Sequence, residues 1–293
     1  MHRSWLFAPG NHSRRAEKVF QSGADAAILD LEDAVAAAEK PAARVPVAAA
    51  LARPRSCAGY VRVNALSSPF ARDDLAAVVV QGLDGIVLPK CESVAELEEA
   101  HALIGTQEAR RGLARGSVEL LPMIESARAL TQLDAIAEAA RRAGRVKRLS
   151  FGAADLALDL GMTVSEDEAE LEYLRARLVV ASRAAELEAP VDTVWFRLQD
   201  IAGFRARAEK SRRSGFFGKL LIHPGQVGTA NEVFTPSEAE IGRALKVVEA
   251  FGAAEAQGLA AIQLDGQMVD YPVVHRARRT LAVAGAIRSR SRA

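Results

Sequence analysis

Ala26-Ala-Ile-Leu-Asp30-Leu31, followed at once by Glu32-Asp33, decides how the rest of the chain reads. The run is apolar without strict alternation, as a parallel strand covered on both faces must be, and it ends in a cluster of acids. Seven more such runs surround it: Arg3–Ala8 before it, then Tyr60–Ala65, Gly85–Pro89, Val118–Ile124, Val146–Gly152, Val191–Leu198 and Phe217–Ile222. Their starts lie 23 to 45 residues apart, which leaves room each time for a loop, a helix and a return. Helix starts are expected in the gaps at Ser93-x-x-Glu96, Ser165-x-x-Glu168 and Thr235-Pro236-x-Glu238, all of capping-box form.

Eight strand–helix units in about 250 residues close a (β/α)8 TIM barrel. An open doubly wound sheet would carry a glycine-rich nucleotide turn after its first strand, but Ala8-Pro9-Gly10-Asn11 contains no GxGxxG. Gly215-Phe-Phe-Gly218-Lys219 fails as a P-loop because Arg213 stands at the first required glycine and Leu220 replaces Ser or Thr. The expected architecture is α/β, a barrel over residues 1–224 followed by a C-terminal helical lid or oligomerisation extension over 225–293. In that extension we expect a helix from Pro236 to near Ala256 and a turn-rich segment from Leu264 to Pro272. A final Ala/Arg-rich helix follows, with a frayed end at Arg288–Ala293.

The 293 residues carry 38 Lys+Arg against 37 Asp+Glu, a net charge of +1 that argues against broad nucleic-acid binding. With 49% hydrophobic and 26% charged residues, the composition is that of a globular chain. The two cysteines, Cys57 and Cys91, have neither zinc-site nor disulfide-framework spacing. The first apolar run, Trp5–Ala8, is stopped by Pro9-Gly10 and is too short for a signal-peptide core, and no apolar stretch approaches the ~18 residues of a membrane span. A cytoplasmic protein is expected, with Asn11-His12-Ser13 a chance match to a glycosylation site.

In a barrel of this kind chemistry sits where strands run into the following loops. Those ends carry Asp30, Glu32 and Asp33, then Arg62 and Asn64, Lys90, Glu125, Asp155, Arg197 with Asp200, and His223. Glu125 and Asp155 follow adjacent strands and can converge on one hard cation such as Mg²⁺; strand-end acids also serve as helix caps. Arg62, between Val61 and Val63, must reach the barrel mouth or pair with a buried acid. Either a structural ion pair with Asp30, Glu32 or Asp33 or a contact with a substrate carboxylate or oxyanion meets that need.

Eight segments occur in order: Arg3-Ser-Trp-Leu-Phe-Ala-Pro-Gly10, Asp30-Leu-Glu-Asp-Ala-Val35, Val61-Arg-Val-Asn64, Leu88-Pro-Lys90, Ile124-Glu125, Phe151-Gly-Ala-Ala-Asp-Leu156, Gly218-Lys-Leu-Leu-Ile-His-Pro224 and Asp265-Gly-Gln-Met-Val-Asp-Tyr-Pro272. Over nearly the whole chain they resemble the citrate lyase beta-subunit branch of the HpcH/HpaI aldolase superfamily, with its malyl-CoA and citramalyl-CoA lyases. The resemblance implies a Mg²⁺-dependent carbon–carbon lyase that cleaves a 3-hydroxy-3-carboxyacyl thioester, on CoA or an acyl carrier, into an acyl thioester and an α-keto acid. It implies Glu125 and Asp155 as metal ligands and Arg62 as the group that holds substrate oxygen and stabilises the enolate. Backbone N–H groups of Gly152, Ala153 and Ala154 would bind the substrate carboxylate. Asp30, Glu32 and Asp33 would orient Arg62 and metal-bound water.

Asp270 matches the acid/base aspartate of a lid that reaches a neighbouring subunit, which implies a homo-oligomer, a trimer or hexamer. Lys90 and the turn at Pro9-Gly10 fall where the thioester carrier is expected. No nucleic acid or membrane partner is implied. Two alternatives stand beside this reading: a metal-dependent aldolase releasing pyruvate from a free hydroxy-keto acid, and a citrate lyase subunit inactive by itself. The aldolase branch's histidine/aspartate base has no evident counterpart, since His12 lies back in the first loop. His223, Trp5, Trp195 and the arginine-rich run Arg205–Arg213 take structural readings.

Overall fold

The structure is a computed structural model and describes residues 1–290. Seven parallel strands, β1 (Ser4–Pro9), β2 (Ala26–Asp30), β3 (Ala58–Arg62), β4 (Gly85–Leu88), β5 (Glu119–Ile124), β6 (Ser150–Phe151) and β7 (Lys219–Leu221), form one curled sheet in the order β6-β5-β4-β3-β2-β1-β7. Every residue of β2 and β4 is buried, which is why their sequences do not alternate. Side chains still alternate between two cores. Trp5, Ile28, Tyr60, Val87, Leu121 and Leu220 pack together inside the curl. Their neighbours Leu6, Leu29, Val61, Ile86, Leu120 and Leu221 pack outward with helix residues. Period-two alternation thus places Asp30 and Arg62 on the inner face, one layer beyond Ile28 and Tyr60.

Three expected strands are much shorter than predicted, and Phe217–Ile222 is one of them, reduced to the three residues of β7. Val146–Gly152 reduces to the two residues of β6, and Val191–Leu198 to single bridges at Val191 and Asp192. Val191 exchanges bonds with Leu149 O (2.9 Å) and Phe151 N–H (3.0 Å), and Asp192 with Gly218 O (3.1 Å) and Leu220 N–H (2.8 Å). These two residues therefore run from β6 to β7. The pairing stops there because Asp192 turns its carboxylate outward into a buried polar cluster. It accepts from Lys219 Nζ (2.7 Å), Ser211 Oγ (2.6 Å) and Arg175 Nε (3.0 Å). Both Asp192 and Lys219 are fully buried, a geometry tolerable only because every partner is present.

A second buried pair joins Glu108, on helix Val94–Arg110, to Arg145 by two contacts of 2.9 and 3.0 Å. Burial pushes the Glu108 carboxyl up, but Arg145 and the N–H groups of Gly116 and Val118 outweigh it and hold the group down at about 2. Glu108→Gln is expected to cost about 3–5 kcal/mol, seen as an earlier urea midpoint, because it strands the Arg145 charge. A carboxylate whose pKa is lowered on folding stabilises above its unfolded value of about 4.3 and stops doing so as pH falls through the folded value. The gap between wild type and Glu108→Gln should therefore be full at pH 6 and close between about pH 4.5 and 2.

The chain divides into two compact units, one spanning His2–Asn231 and one that starts at Glu232 and includes Met1. The second has its own core of Ala244, Val247, Phe251, Val269, Val274 and Ala277. Its helix Glu238–Glu255 begins in a full capping box, but at Ser237 and Glu240, two residues later than Thr235 and Glu238 suggest. Ser93 caps as expected, accepting the Glu96 N–H at 3.2 Å. Ser165 does not, because its hydroxyl bonds Asp167 and Glu170, and the following helix starts only at Glu172.

The segment read as turn-rich is an antiparallel hairpin, β8 (Ala261–Leu264) with β9 (Gln267–Asp270). Asp265 and Gly266 turn it with φ of 50° and 76°, the pair of positive angles that makes Asp-Gly a hairpin signal. Helix Tyr271–Arg290 follows, so the expected frayed end is helical through Arg290, and residues 291–293 lie outside the described residues. No described helix is long and apolar enough to cross a membrane.

Candidate active site

Strands β2 to β6 deliver five acids and two cations to one end of the sheet. Register pairs Asp30 with Arg62 on β2 and β3. The two meet bidentately, Arg62 Nε to Asp30 Oδ1 at 2.8 Å and a terminal nitrogen to Oδ2 at 2.6 Å. Asp30 is fixed in turn by the N–H groups of Glu32 (2.9 Å) and Ala34 (3.0 Å). The guanidinium lies 4.9 Å over the Phe7 ring, and its other terminal nitrogen faces Glu32 at 3.2 Å and Asp33 at 3.8 Å. Burial works against its charge, but Asp30, then Glu32 and Asp33, raise its pKa above the ordinary arginine value. Of the alternatives open for Arg62, the ion pair is present, and one edge of the guanidinium still points past Asp30 toward Glu32.

Lys90 follows β4 and joins two acids. Its Nζ donates to Glu32 Oε1 at 2.8 Å and its backbone N–H to Glu125 Oε1 at 2.7 Å. Glu125, directly after β5, is buried, and burial pushes its carboxyl up to about 8. The negative charges of Glu32 and Asp155 add to that rise against the Lys90 N–H and Arg62. Glu32 is raised by burial as well, and its Oε2 is buried without a hydrogen bond. Asp155, partly exposed, stands in the first turn of helix Ala153–Asp159. Gly152 leaves room for the Glu125 side chain, since a Cβ there would stand 2.3 Å from Oε2. Gly10 is equally tight, with a Cβ position 2.7 Å from the Asp30 carbonyl oxygen, so the Pro9-Gly10 turn supports the backbone of β2.

The expected carboxylate cradle is only partly available. Gly152 N–H donates to Ile124 O (3.0 Å) and Ala153 N–H to Thr193 Oγ1 (3.1 Å), because these residues knit β5, β6 and the Val191–Asp192 crossing together. Ala154 N–H alone of the three has no acceptor among the described residues. Asp33 is exposed, unlike Asp30 and Glu32. Asp270 belongs to the other compact unit, where it ends β9 and its Oδ1 accepts the Val273 N–H at 3.3 Å, as a helix cap does. His223 caps the turn at Pro224 through Nδ1 and Asp200 caps helix Ile201–Ser214, both structural roles.

Sequence reasoning missed Lys40. Its Nζ donates to Leu31 O (3.1 Å), Glu32 O (2.6 Å) and Asn64 Oδ1 (2.7 Å), pinning the loop that carries Glu32. Nothing in its spacing marks it, since the contacts form only when β2 and β3 pair.

The donor set suits a hard divalent cation. Among the described residues, Asp30, Glu32 and Asp33 pair with Arg62 and Lys90, while Glu125 and Asp155 stand beside them without an ion pair to either. Two of those acids, Glu125 and Glu32, are pushed toward the neutral form, and Glu32 Oε2 has the Arg62 ion pair but no hydrogen bond. Among the described residues no three His, Cys, Asp or Glu side chains converge tightly enough to hold a metal alone. A cation held by Glu125 and Asp155 would keep positions for water and substrate, as Mg²⁺ prefers.

The model of the HpcH/HpaI aldolase/citrate lyase family matches residues 3–224. The chain is 38% identical over 288 residues to the citrate lyase subunit beta of Leuconostoc mesenteroides subsp. cremoris, covering 98% of this chain and 94% of the relative. It is 37% identical over 291 residues to the (3S)-malyl-CoA thioesterase of Cereibacter sphaeroides, covering 97% and 95%. The solved structure of protein CitE from Mycobacterium tuberculosis, in complex with magnesium, acetoacetate and coenzyme A, superposes with a TM-score of 0.77 at 29% identity, covering 96% and 97%. By sequence and by the order of its strand-end residues, this chain belongs to the HpcH/HpaI aldolase/citrate lyase family.

Proposed function

We propose that the protein is a Mg²⁺-dependent carbon–carbon lyase acting on a 3-hydroxy-3-carboxyacyl thioester, within a (β/α)8 barrel that Val191–Asp192 completes. The observation that carries the reading is the chain of contacts from Asp30 through Arg62, Glu32 and Lys90 to Glu125. It links a guanidinium fixed by Asp30, through Glu32 and Lys90, to the buried Glu125 carboxylate. Cleavage passes the substrate's hydroxyl proton to a carboxylate of the acidic cluster at the strand ends, breaks the C–C bond and leaves the electron pair on a thioester enolate beside an α-keto acid. Glu125 and Asp155 would hold the metal, which when bound supplies Lewis-acid stabilisation to the keto acid oxygens.

Arg62, preorganised by Asp30, turns the terminal nitrogen that faces Glu32 to the thioester oxygen where charge develops. Ala154 N–H and the start of its helix receive the substrate carboxylate. Asp270 delivers the proton to the enolate carbon from a C-terminal lid, beginning after residue 224, that covers a neighbouring subunit in a cytoplasmic homo-oligomer. Asp270→Asn keeps an oxygen for the helix cap, so it should bind substrate yet lose about 10²–10⁴-fold in turnover. Mixing it with Glu125→Ala subunits should restore part of the activity. No rescue after verified subunit exchange would place the lid over its own barrel.

The thioesterase relative favours a second reading, hydrolysis of the same thioester. Citryl, malyl and citramalyl thioesters incubated with Mg²⁺ separate the two. An acyl thioester plus an α-keto acid supports the lyase, and free CoA thiol with intact hydroxy acid supports the hydrolase. Cleavage of a free hydroxy-keto acid alone would move the protein to the pyruvate aldolases.

A further inference from the structure

Lys90 holds an unusual backbone for its residue type. Its φ is +50°, in the left-handed region that side chains with a Cβ adopt at a cost and glycine adopts freely. Pro89 precedes it at the end of β4, and the left-handed turn does two things at once. It aims the Lys90 N–H at Glu125 Oε1, 2.7 Å away, and sends the side chain back across the end of the sheet to Glu32 Oε1 at 2.8 Å. Asp33 lies 4.0 Å from the same ammonium. One residue therefore fixes two buried acids that belong to strands β2 and β5 and that nothing else in the site links directly. The Lys90 side chain stays 42% exposed, yet its ammonium is held by the Glu32 carboxylate.

We infer that Lys90 is a positioning residue that fixes Glu32 relative to Glu125, rather than a contact for the thioester carrier. The inference deepens the Mg²⁺-dependent lyase reading and rests on it. The main chain supplies the Glu125 bond whatever the side chain, so substitutions isolate the ammonium's part. Lys90→Met keeps the stem and the N–H. Lys90→Gly keeps the N–H and relieves the backbone. In both, Glu32 Oε1 loses the Lys90 ammonium while Oε2 keeps Arg62 at 3.2 Å, and the site becomes more negative by one charge.

The two consequences have opposite signs. The added negative charge should tighten Mg²⁺ binding to the substrate-free protein by about fivefold in titration calorimetry. The wandering Glu32 should lower kcat about tenfold at saturating Mg²⁺. Binding of CoA alone should stay within twofold, and Lys90→Arg should recover most of kcat. Tighter metal with slower turnover is a pattern that general damage does not give, since damage weakens both. Unchanged Mg²⁺ affinity in Lys90→Met together with CoA binding weakened tenfold would overturn the inference and make Lys90 a carrier contact. Should the unaltered protein bind no Mg²⁺, the lyase reading falls. The inference is then decided by a crystal structure of metal-free Lys90→Met, in which a displaced Glu32 carboxylate supports it and an unmoved one overturns it.

Discussion

Glu125→Ala is expected to lower Mg²⁺-dependent turnover on the order of 10³-fold or more, the scale of losing several kcal/mol of metal-borne charge stabilisation. The same variant should not lose thermal stability when metal-free. Glu125 is buried, pushed up to about 8, and repelled by Glu32 and Asp155, so its removal relieves an unfavourable group and leaves one N–H, that of Lys90, without its acceptor. Asp155→Ala should lose activity comparably, and it is partly exposed in a first helical turn, so its effect on folding is small. Steady-state rates over a Mg²⁺ series, with melting curves without metal, make the test. Near-normal activity at low Mg²⁺ in either variant would show that the pair has been misassigned.

Arg62→Lys should cost on the order of 10²-fold in turnover although it conserves charge. The guanidinium spends one edge on both Asp30 oxygens, stacks on Phe7, and still presents a nitrogen on the Glu32 side. An ammonium is a point donor. It will settle on Asp30, the best-fixed acid, and leave the reacting side of the site without a cation. The loss should fall on kcat more than on KM if the contact strengthens as the enolate forms. Full activity in Arg62→Lys would mean that the residue serves mainly to balance buried acids.

The strand ends were legible because period-two alternation and the apolar runs of β1 to β5 fix which residue comes last on the inner face. Asp30, Arg62 and Glu125 follow from that arithmetic. The Val191–Leu198 run was overread because its buried Asp192 finds counter-charges on Lys219 and Arg175, contacts that no local pattern announces. The C-terminal hairpin carried its turn signal openly in Asp265-Gly266, but its short strands, largely exposed, lack the apolar pattern that marks β1 to β5. Lys40, Thr193 and the Lys90–Glu32 contact were hidden for one shared reason. Each acts through a partner at least 8 residues away whose position exists only after the strands assemble.

The bonds that run from β6 through Val191–Asp192 to β7, and from β7 to β1, make the first unit hard to build in pieces. Ser4 pairs beside Lys219, so an element completed early in synthesis waits for one completed more than 200 residues later. Until Lys219–Leu221 arrives, β1 offers an open edge and Asp192 lacks the ammonium that compensates its burial. A chain ending short of that point carries an unpaired β1 edge and an Asp192 without its Lys219 partner. Closing the sheet thus joins its first strand to its last, a non-local pairing that leaves a strand edge open until late in assembly.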